Sequence, residues 1–437
     1  MKSYREVINE LDSFTNFENI GFGGITEEFN LDKLRQVLKR IGNPERGYRV
    51  IHIAGTKGKG SICSFVSSIL NEAGMRTGLF LSPHIITPRE RIQAGGEIIS
   101  ESDFAEIFNY LMEYLEQPAR SKYTFFEIYT LIAFIHFSRK KADFAVLEVG
   151  MGGRLDATNA ARGEFCGISP ISYDHTQVLG KSLRSIAGEK SAIIKPGAYC
   201  VSSLQRPAAA RVIKKRCSNV NAELVSVGKD LKYQINDLSE TGSKFDLYTR
   251  EDHYKNCQTR LPGIFQVSNA VTALGICEKV LSGRSSRKSI LKKGVKNAFI
   301  PGRMEVLLKK PYFVADGAQN ADSALNLKNS IEQVFKYDRL ILLLGMSRDK
   351  DIKGVCRHLA PFADEIVLTR AEGSRAADPN VIRGYVKNKQ VKVTDDVTGG
   401  VREAFDLAGK KDLILATGSF FVVAEARRMV LGGSSTS

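Results

Sequence analysis

From about Tyr48 onward, apolar and β-branched residues fall into short, nearly continuous runs, separated by longer stretches in which apolar positions return every three or four residues. The runs YRVIHIA (48–54), TGLFL (77–81), DFAVLEV (143–149) and FCGISPI (165–171) lack the alternation of a half-exposed strand. They therefore read as strands buried on both faces. The spacing between them predicts helices. In ISESDFAEIFNYLMEYLEQ, Ser100 stands as N-cap with Asp103 three residues on, and Phe104, Ile107, Phe108, Leu111 and Leu115 form an apolar stripe. Strands alternating with helices predict an α/β fold with a parallel, doubly wound sheet.

Past Leu204 the runs become shorter and more polar. AELVSV (222–227), LKYQI (231–235) and FDLYT (245–249) predict a small antiparallel annex to the first domain. A helix returns in FQVSNAVTALGICEKVL (265–281). A second α/β series follows AFIPGRMEVL, with strands YFVADGA (312–318), RLILLLGM (339–346), EIVLTR (365–370) and DLILATG (412–418). Proline and glycine interrupt both periodicities at Ile300-Pro301-Gly302, which places the domains at 1–299 and 300–437. The closing GGSSTS reads as disordered.

Composition narrows the function classes. With 437 residues, 43% hydrophobic and 25% charged, the chain carries apolar material for two globular domains. No apolar run reaches the roughly 18 residues of a membrane span, and MKSYREVINELDSF lacks the apolar core of a secretory signal. A cytoplasmic location, without a membrane partner, is expected. The seven cysteines form no C-x-x-C pair, which argues for reduced thiols over a disulfide framework or a structural zinc. A formal net charge of +15 implies an anionic partner. The basic stretches VIKKRC and ILKKGVKN are broken by apolar residues at helical spacing and read as solvated helix faces. Nucleotides and polycarboxylates suit that field, and nucleic acid is not expected, although a P-loop ATPase stimulated by nucleic acid remains an alternative.

The sharpest feature is IHIAGTKGKGSICSFVSSIL (51–70), in which a strand breaks into a glycine and lysine loop and resumes as a helix. Gly55, Thr56, Lys57, Gly58, Lys59, Gly60 and Ser61 would surround an anion with first-turn amides, and Lys59 would reach the β- and γ-phosphates of a nucleotide. The match to G-x-x-x-x-G-K-[ST] is incomplete: Ile53 replaces the first glycine and Gly60 the hydroxyl residue. A plain strand-to-helix turn is the other reading of the same residues.

GTKGKGS (55–61), SPHIITPRERI (82–92), LEVGMGGRLDATN (147–159), DHTQVLG (174–180), GEKSAIIKPG (188–197), PGRMEV (301–306), DGAQN (316–320) and ATGSF (416–420), in this order, resemble the folylpolyglutamate synthase and dihydrofolate synthase family of Mur-type amide ligases. The resemblance spans nearly the whole chain. It implies an N-terminal ATPase domain, a C-terminal Rossmann-like domain and a site in the cleft between them. It also implies an activity in which a pterin-bearing carboxylate takes the γ-phosphoryl group of ATP and the resulting acyl phosphate is attacked by the amine of L-glutamate. The substrates would be dihydropteroate or folate, ATP and glutamate, the cofactor Mg²⁺, with two ions expected, and the chain would act as a monomer. Another Mur-type peptide ligase is the alternative within the same chemistry.

The residues divide accordingly. Glu148 ends an apolar strand at the edge where doubly wound sheets hold ligands, and on sequence alone it is either a metal ligand or a partner of Arg154. The resemblance favours metal, with His175 as second ligand and Ser82 on the first ion. Lys190 matches a lysine that related ligases carbamylate; a surface pair with Glu189 is the plain alternative. Asn269, Arg303 and Asp316 resemble ATP contacts, Asp316 also reaching the incoming amino acid, and Ser419 resembles a glutamate contact. Thr124, Phe126 and Asp156 resemble a dihydropteroate pocket, although Phe126 could equally be core. Gln319 stands where the family has a histidine, so the pattern D-x-A-H-N becomes D-x-A-Q-N and loses a titratable proton. Lys57 replaces the commoner asparagine and adds charge to the loop.

Overall fold

A computed structural model describes residues 1–17, 30–373, 375–387 and 390–433. Ser434–Ser437, most of the tail expected to be disordered, lie outside the described residues. The chain divides into two compact units. The first comprises Met1–Ile235, Phe245–Thr259 and Gln266–Ala298; the second comprises Asn236–Lys244, Arg260–Phe265 and Phe299–Ser437.

The first unit is built on strands β1 (Arg49–Ala54), β2 (Thr77–Phe80), β3 (Ile92–Ala94), β4 (Glu97–Ile98), β5 (Phe144–Glu148), β6 (Phe165–Ile168), β7 (Tyr199–Ser202) and β8 (Glu223–Ser226). Their spatial order is β4-β3-β2-β5-β1-β6-β7-β8. β1 lies between β5 and β6 and is parallel to both, so its apolar residues meet neighbours on every side. Helices Glu101–Met112 and Phe125–Arg139 pack into one apolar cluster, and Leu183–Ser191 and Pro207–Asn219 into another. Ser100 caps the helix at Glu101 by accepting from the Asp103 amide at 3.0 Å, and Phe104, Ile107, Phe108, Leu111 and Leu115 are buried, as their spacing foretold.

One expected annex strand belongs elsewhere. AELVSV contains β8, which pairs in parallel with β7 and extends the main sheet. The reason is tertiary: β8 is half-exposed because it forms the sheet's edge, and its polar pattern reports that edge position, not a change of fold. The annex itself is a separate sheet of β9 (Lys232–Ser239), β10 (Gly242–Tyr248) and β11 (His253–Thr259), in the order β11-β10-β9. Its connections, 240–241 and 249–252, are of hairpin length, which only antiparallel neighbours allow.

The second unit holds β12 (Glu305–Lys309), β13 (Tyr312–Asp316), β14 (Leu340–Leu344), β15 (Glu365–Leu368), β16 (Val391–Val393) and β17 (Leu413–Thr417), ordered β12-β13-β17-β14-β15-β16. All neighbours are parallel except the β12 and β13 pair. The unit is therefore an open, Rossmann-like α/β sheet with one antiparallel edge, its apolar residues gathered into two clusters.

Candidate functional site

β1 ends at Ala54, and the helix Lys59–Glu72 begins four residues after the turn opens. The turn requires glycine at two places and is tight at a third. Gly55 has φ 146°, and a Cβ there would stand 1.8 Å from Ser169 Oγ. Gly58, the N-cap, has φ 83°, and a Cβ would stand 2.4 Å from Asn269 Oδ1. At Gly60 a Cβ would come within 3.3 Å of Glu148 Oε2. A side chain at residue 60, where the phosphate-loop pattern has a hydroxyl, would press against the buried Glu148 carboxylate.

The loop's amides fall into two sets. Those of Thr56 and Lys57 donate to Pro170 O at 3.0 and 3.4 Å, and Thr56 Oγ1 accepts from Ser172 N at 3.1 Å, which pins the first half of the loop to the segment after β6. The amides of Lys59, Gly60 and Ser61 head the helix, where no helical carbonyl can accept from them. They are the half of the loop whose amides are open to a ligand. Asn269 is buried beside Gly58 and oriented by donation from Nδ2 to Gln266 Oε1 at 3.1 Å.

Glu148 lies at the carboxyl end of β5, 4% exposed, and accepts from the Ser82 amide at 2.9 Å. Arg154, its sequence-level rival partner, binds Glu189 instead, at 3.0 Å. That same pairing removes Glu189 from Lys190, so the surface ion pair considered for Lys190 is not formed. Lys190 is 3% exposed and lies on the buried side of the helix Leu183–Ser191. Its pKa is pushed down to about 7, first by burial and then by the nearby charge of Lys59, against the pull of Asp174 and Asp156. His175 adopts a left-handed conformation, φ 48°, which a non-glycine residue holds only under constraint. Its Nε2 lies 3.8 Å from Asp174 Oδ1, and Asp174 Oδ2 is 3.4 Å from Lys57 Nζ. His175 is thus connected to the glycine loop through Asp174, a residue that sequence reasoning quoted without assigning. Ser169, Ser172 and Gln266 were missed as well; each has a buried side-chain atom without a hydrogen-bond partner among the described residues, and no linear spacing signals it.

Glu148 supplies carboxylate oxygens beside Gly60, with Ser82 adjacent through its amide, and such an oxygen donor suits a hard divalent cation that keeps waters and phosphate oxygens as its other ligands. Among the described residues no three His, Cys, Asp or Glu side chains gather to hold a metal by themselves.

The expected pterin residues stand close to this site. Thr124 caps the helix Phe125–Arg139 in a reciprocal box with Glu127. Phe126, on the first turn, packs 5.6 Å from the Phe80 ring and against Gly150, where a Cβ would stand 2.7 Å from its Cζ. Asp156 is buried and accepts from the amides of Met151 and Thr158 at 2.9 and 3.0 Å; burial nevertheless pushes its carboxyl upward.

In the second unit, Asp316 ends β13, accepts from Met304 N at 2.9 Å and is pushed up by burial, while the charge of Arg303 pulls the other way. Arg303 lies over the Phe420 ring at 4.5 Å. Gln319 precedes Asn320, the N-cap of Ala321–Val334, and its amide donates to Ser323 Oγ at 3.1 Å. Ser419 is buried ahead of the helix Phe420–Gly433 and accepts from Val422 N at 3.2 Å.

Comparison with known proteins matches residues 53–277 to the Mur ligase middle domain and residues 302–420 to the Mur ligase glutamate ligase domain. A curated relative, the dihydrofolate synthase/folylpolyglutamate synthase of Bacillus subtilis, is 30% identical over 404 residues, covering 91% of this chain and 94% of its own. Among solved structures, E. coli FolC in complex with DHPP and ADP is 27% identical with a TM-score of 0.87 and covers 100% of this chain and 99% of its own. The bifunctional folylpolyglutamate synthase/dihydrofolate synthase of Yersinia pestis, complexed with AMPPNP and Mn ion, is 27% identical with a TM-score of 0.86, over 99% and 98% of the two chains.

Proposed function

The chain belongs to the Mur ligase family, in its folylpolyglutamate and dihydrofolate synthase branch, and on that premise we propose that it adds L-glutamate to dihydropteroate, to the γ-carboxylate of folates, or to both. It is an ATP-dependent ligase. The reading is supported by neighbouring groups at the head of one helix: first-turn amides that no helical carbonyl accepts, the Glu148 carboxylate beside Gly60, and buried Lys190 close enough to Lys59 to feel its charge.

The chemistry requires a carboxylate, itself an anion, to approach a triphosphate. Lys59 and the amides of Gly60 and Ser61 would hold the phosphates and offset that repulsion. Asn269 would fix the nucleotide beside Gly58. A divalent cation bound at Glu148 and Ser82, with His175 nearby, would neutralise charge on the phosphate oxygens. Burial and the charge of Lys59 push the Lys190 pKa down to about 7, favouring the neutral amine, the form that adds CO₂; as a carbamate it would become an anion suited to a second cation. Thr124, Phe126 and Asp156 would seat the pterin. Arg303 and Asp316 would take part in nucleotide contacts, and Asp316, Gln319 and Ser419 in glutamate contacts.

Product masses test this directly. Incubation with ATP, Mg²⁺, glutamate and dihydropteroate or tetrahydrofolate should yield ADP, phosphate and products heavier by whole glutamyl residues. ADP release that needs neither glutamate nor a pteroate substrate would reject the assignment.

A further inference from the structure

β1 is apolar at positions 50, 51, 53 and 54, and all four residues are buried. Between them stands His52, with 0% exposure. Its Nε2 lies 2.8 Å from Thr158 Oγ1, and Thr158 Oγ1 donates in turn to Asp156 Oδ1. The direction of this relay follows from proton bookkeeping. An ionised carboxylate can only accept, and a threonine hydroxyl has a single proton. Thr158 therefore gives its proton to Asp156 and receives one from His52, which fixes His52 as the neutral Nε2–H tautomer. Consistently, His52 Nδ1 is buried without a partner among the described residues, and burial pushes the ring's pKa down to about 3, so the donor is constant across the physiological range.

Packing alone does not account for histidine here. An apolar side chain would fill the strand without leaving a buried nitrogen unpartnered. What histidine adds is a directed N–H. The far end of the relay is equally defined: Asp156 Oδ2 accepts from Met151 N, and the Asp156 carboxylate also accepts from the Gly150 amide. Gly150 is the residue against which the Phe126 ring packs. The carboxylate and the aromatic ring of the candidate pterin pocket are thus held by one short loop, and that loop is tied to β1, the strand that delivers the phosphate loop.

We propose that His52 is a positioning residue for the pterin end of the substrate, acting through Thr158 to lock Asp156 and the loop at Gly150 in their binding arrangement. The inference rests on the reading of Asp156 as part of the pterin pocket.

Steady-state kinetics of the full chain with dihydropteroate, ATP and glutamate tests it through four variants. Thr158→Val, which is isosteric and lacks the hydroxyl, should raise KM for dihydropteroate roughly fivefold, the equivalent of one net hydrogen bond, while KM for ATP stays unchanged. Thr158→Ser should restore the wild-type value. His52→Phe should match Thr158→Val, and the double variant should be no worse than either single one, because both break the same chain. Should His52→Phe fail to fold, the Thr158 pair carries the comparison alone. Asp156→Asn separates the two ideas. If it raises KM for dihydropteroate and neither relay variant does, the relay is overturned and the pocket stands. If it leaves that KM unchanged, the pocket reading falls and takes the proposal with it. A uniform loss of activity that tracks the folded fraction in a thermal melt would also overturn positioning.

Discussion

The glycine-loop site of the first unit and the Arg303, Asp316, Gln319 and Ser419 group of the second use polar residues in opposite ways. In the first, neither Lys59 nor Lys190 has an ion-pair partner within 4 Å among the described residues, and Lys190 is buried at the expense of its charge. In the second, Asp316 accepts from Met304, Ser419 caps a helix, and the Gln319 amide feeds the Asn320 and Ser323 capping box. The first arrangement leaves these cationic groups and the first-turn amides without partners among the described residues, which is the electrostatic preorganisation that the proposed binding of a nucleotide's phosphates would use. The second holds backbone shape with the Asp316 and Ser419 side chains, two of the groups expected to meet a ligand, and with the backbone N–H of Gln319. The contrast teaches that one unit is built around charge and the other around the placement of a few side chains on well-capped elements.

Removing charge from the first unit should give the largest effect. Lys59→Ala should lower kcat/KM by about a hundredfold or more, the loss typical of one transition-state donor, without lowering thermal stability, since it relieves repulsion with Lys190. Initial rates and a melting curve measured together check both halves; an unstable variant would show Lys59 to be structural and erase the contrast.

Lys190 gives the next test. Its folded pKa lies below that of an ordinary lysine, so the unfolded chain binds more protons between about pH 7 and the usual lysine value. Stability from this group therefore rises with pH across that window, and the handicap is fully present below pH 7. Lys190→Met should flatten this rise in denaturant titrations at several pH values. It should also abolish most ligase activity, with added bicarbonate no longer affecting the rate.

Within the second unit effects should be smaller and separable. Gln319→His should change KM for glutamate by less than about tenfold and leave KM for ATP alone, a scale set by a single hydrogen-bonding group. Ser419→Ala should cost about 1 kcal/mol in chemical denaturation, as expected for a lost N-cap, with a minor effect on turnover. A turnover loss far exceeding the stability loss would show that Ser419 touches substrate and that the two units are less different than they look.

The legible parts of the molecule are those whose cause is local. Continuous apolar runs marked β1, β5, β13, β14 and β17, because a strand buried on both faces carries mostly apolar residues. The loop at 55–61 was legible because glycine spacing reports close approach, although which neighbour approached was not. The short strands β3, β4, β12 and β16, at or next to a sheet edge, and the parallel pairing of β8 were not legible, since partly exposed residues carry weak periodicity and pairing direction is decided by the neighbour.

The sequence by itself determined the order of elements, the glycine turn between β1 and the helix that follows it, and the free cysteines. The tertiary structure alone decided that Glu148 faces Gly60 and not Arg154, that Lys190 is buried, that Asp174 links His175 to Lys57, and that His52 reaches Asp156 through Thr158. The reason is one of range. Glycine turns, caps and apolar periodicity act over a few residues of chain, whereas a side chain's desolvation and its partners depend on residues as far as 117 positions away that meet only after the sheet has formed.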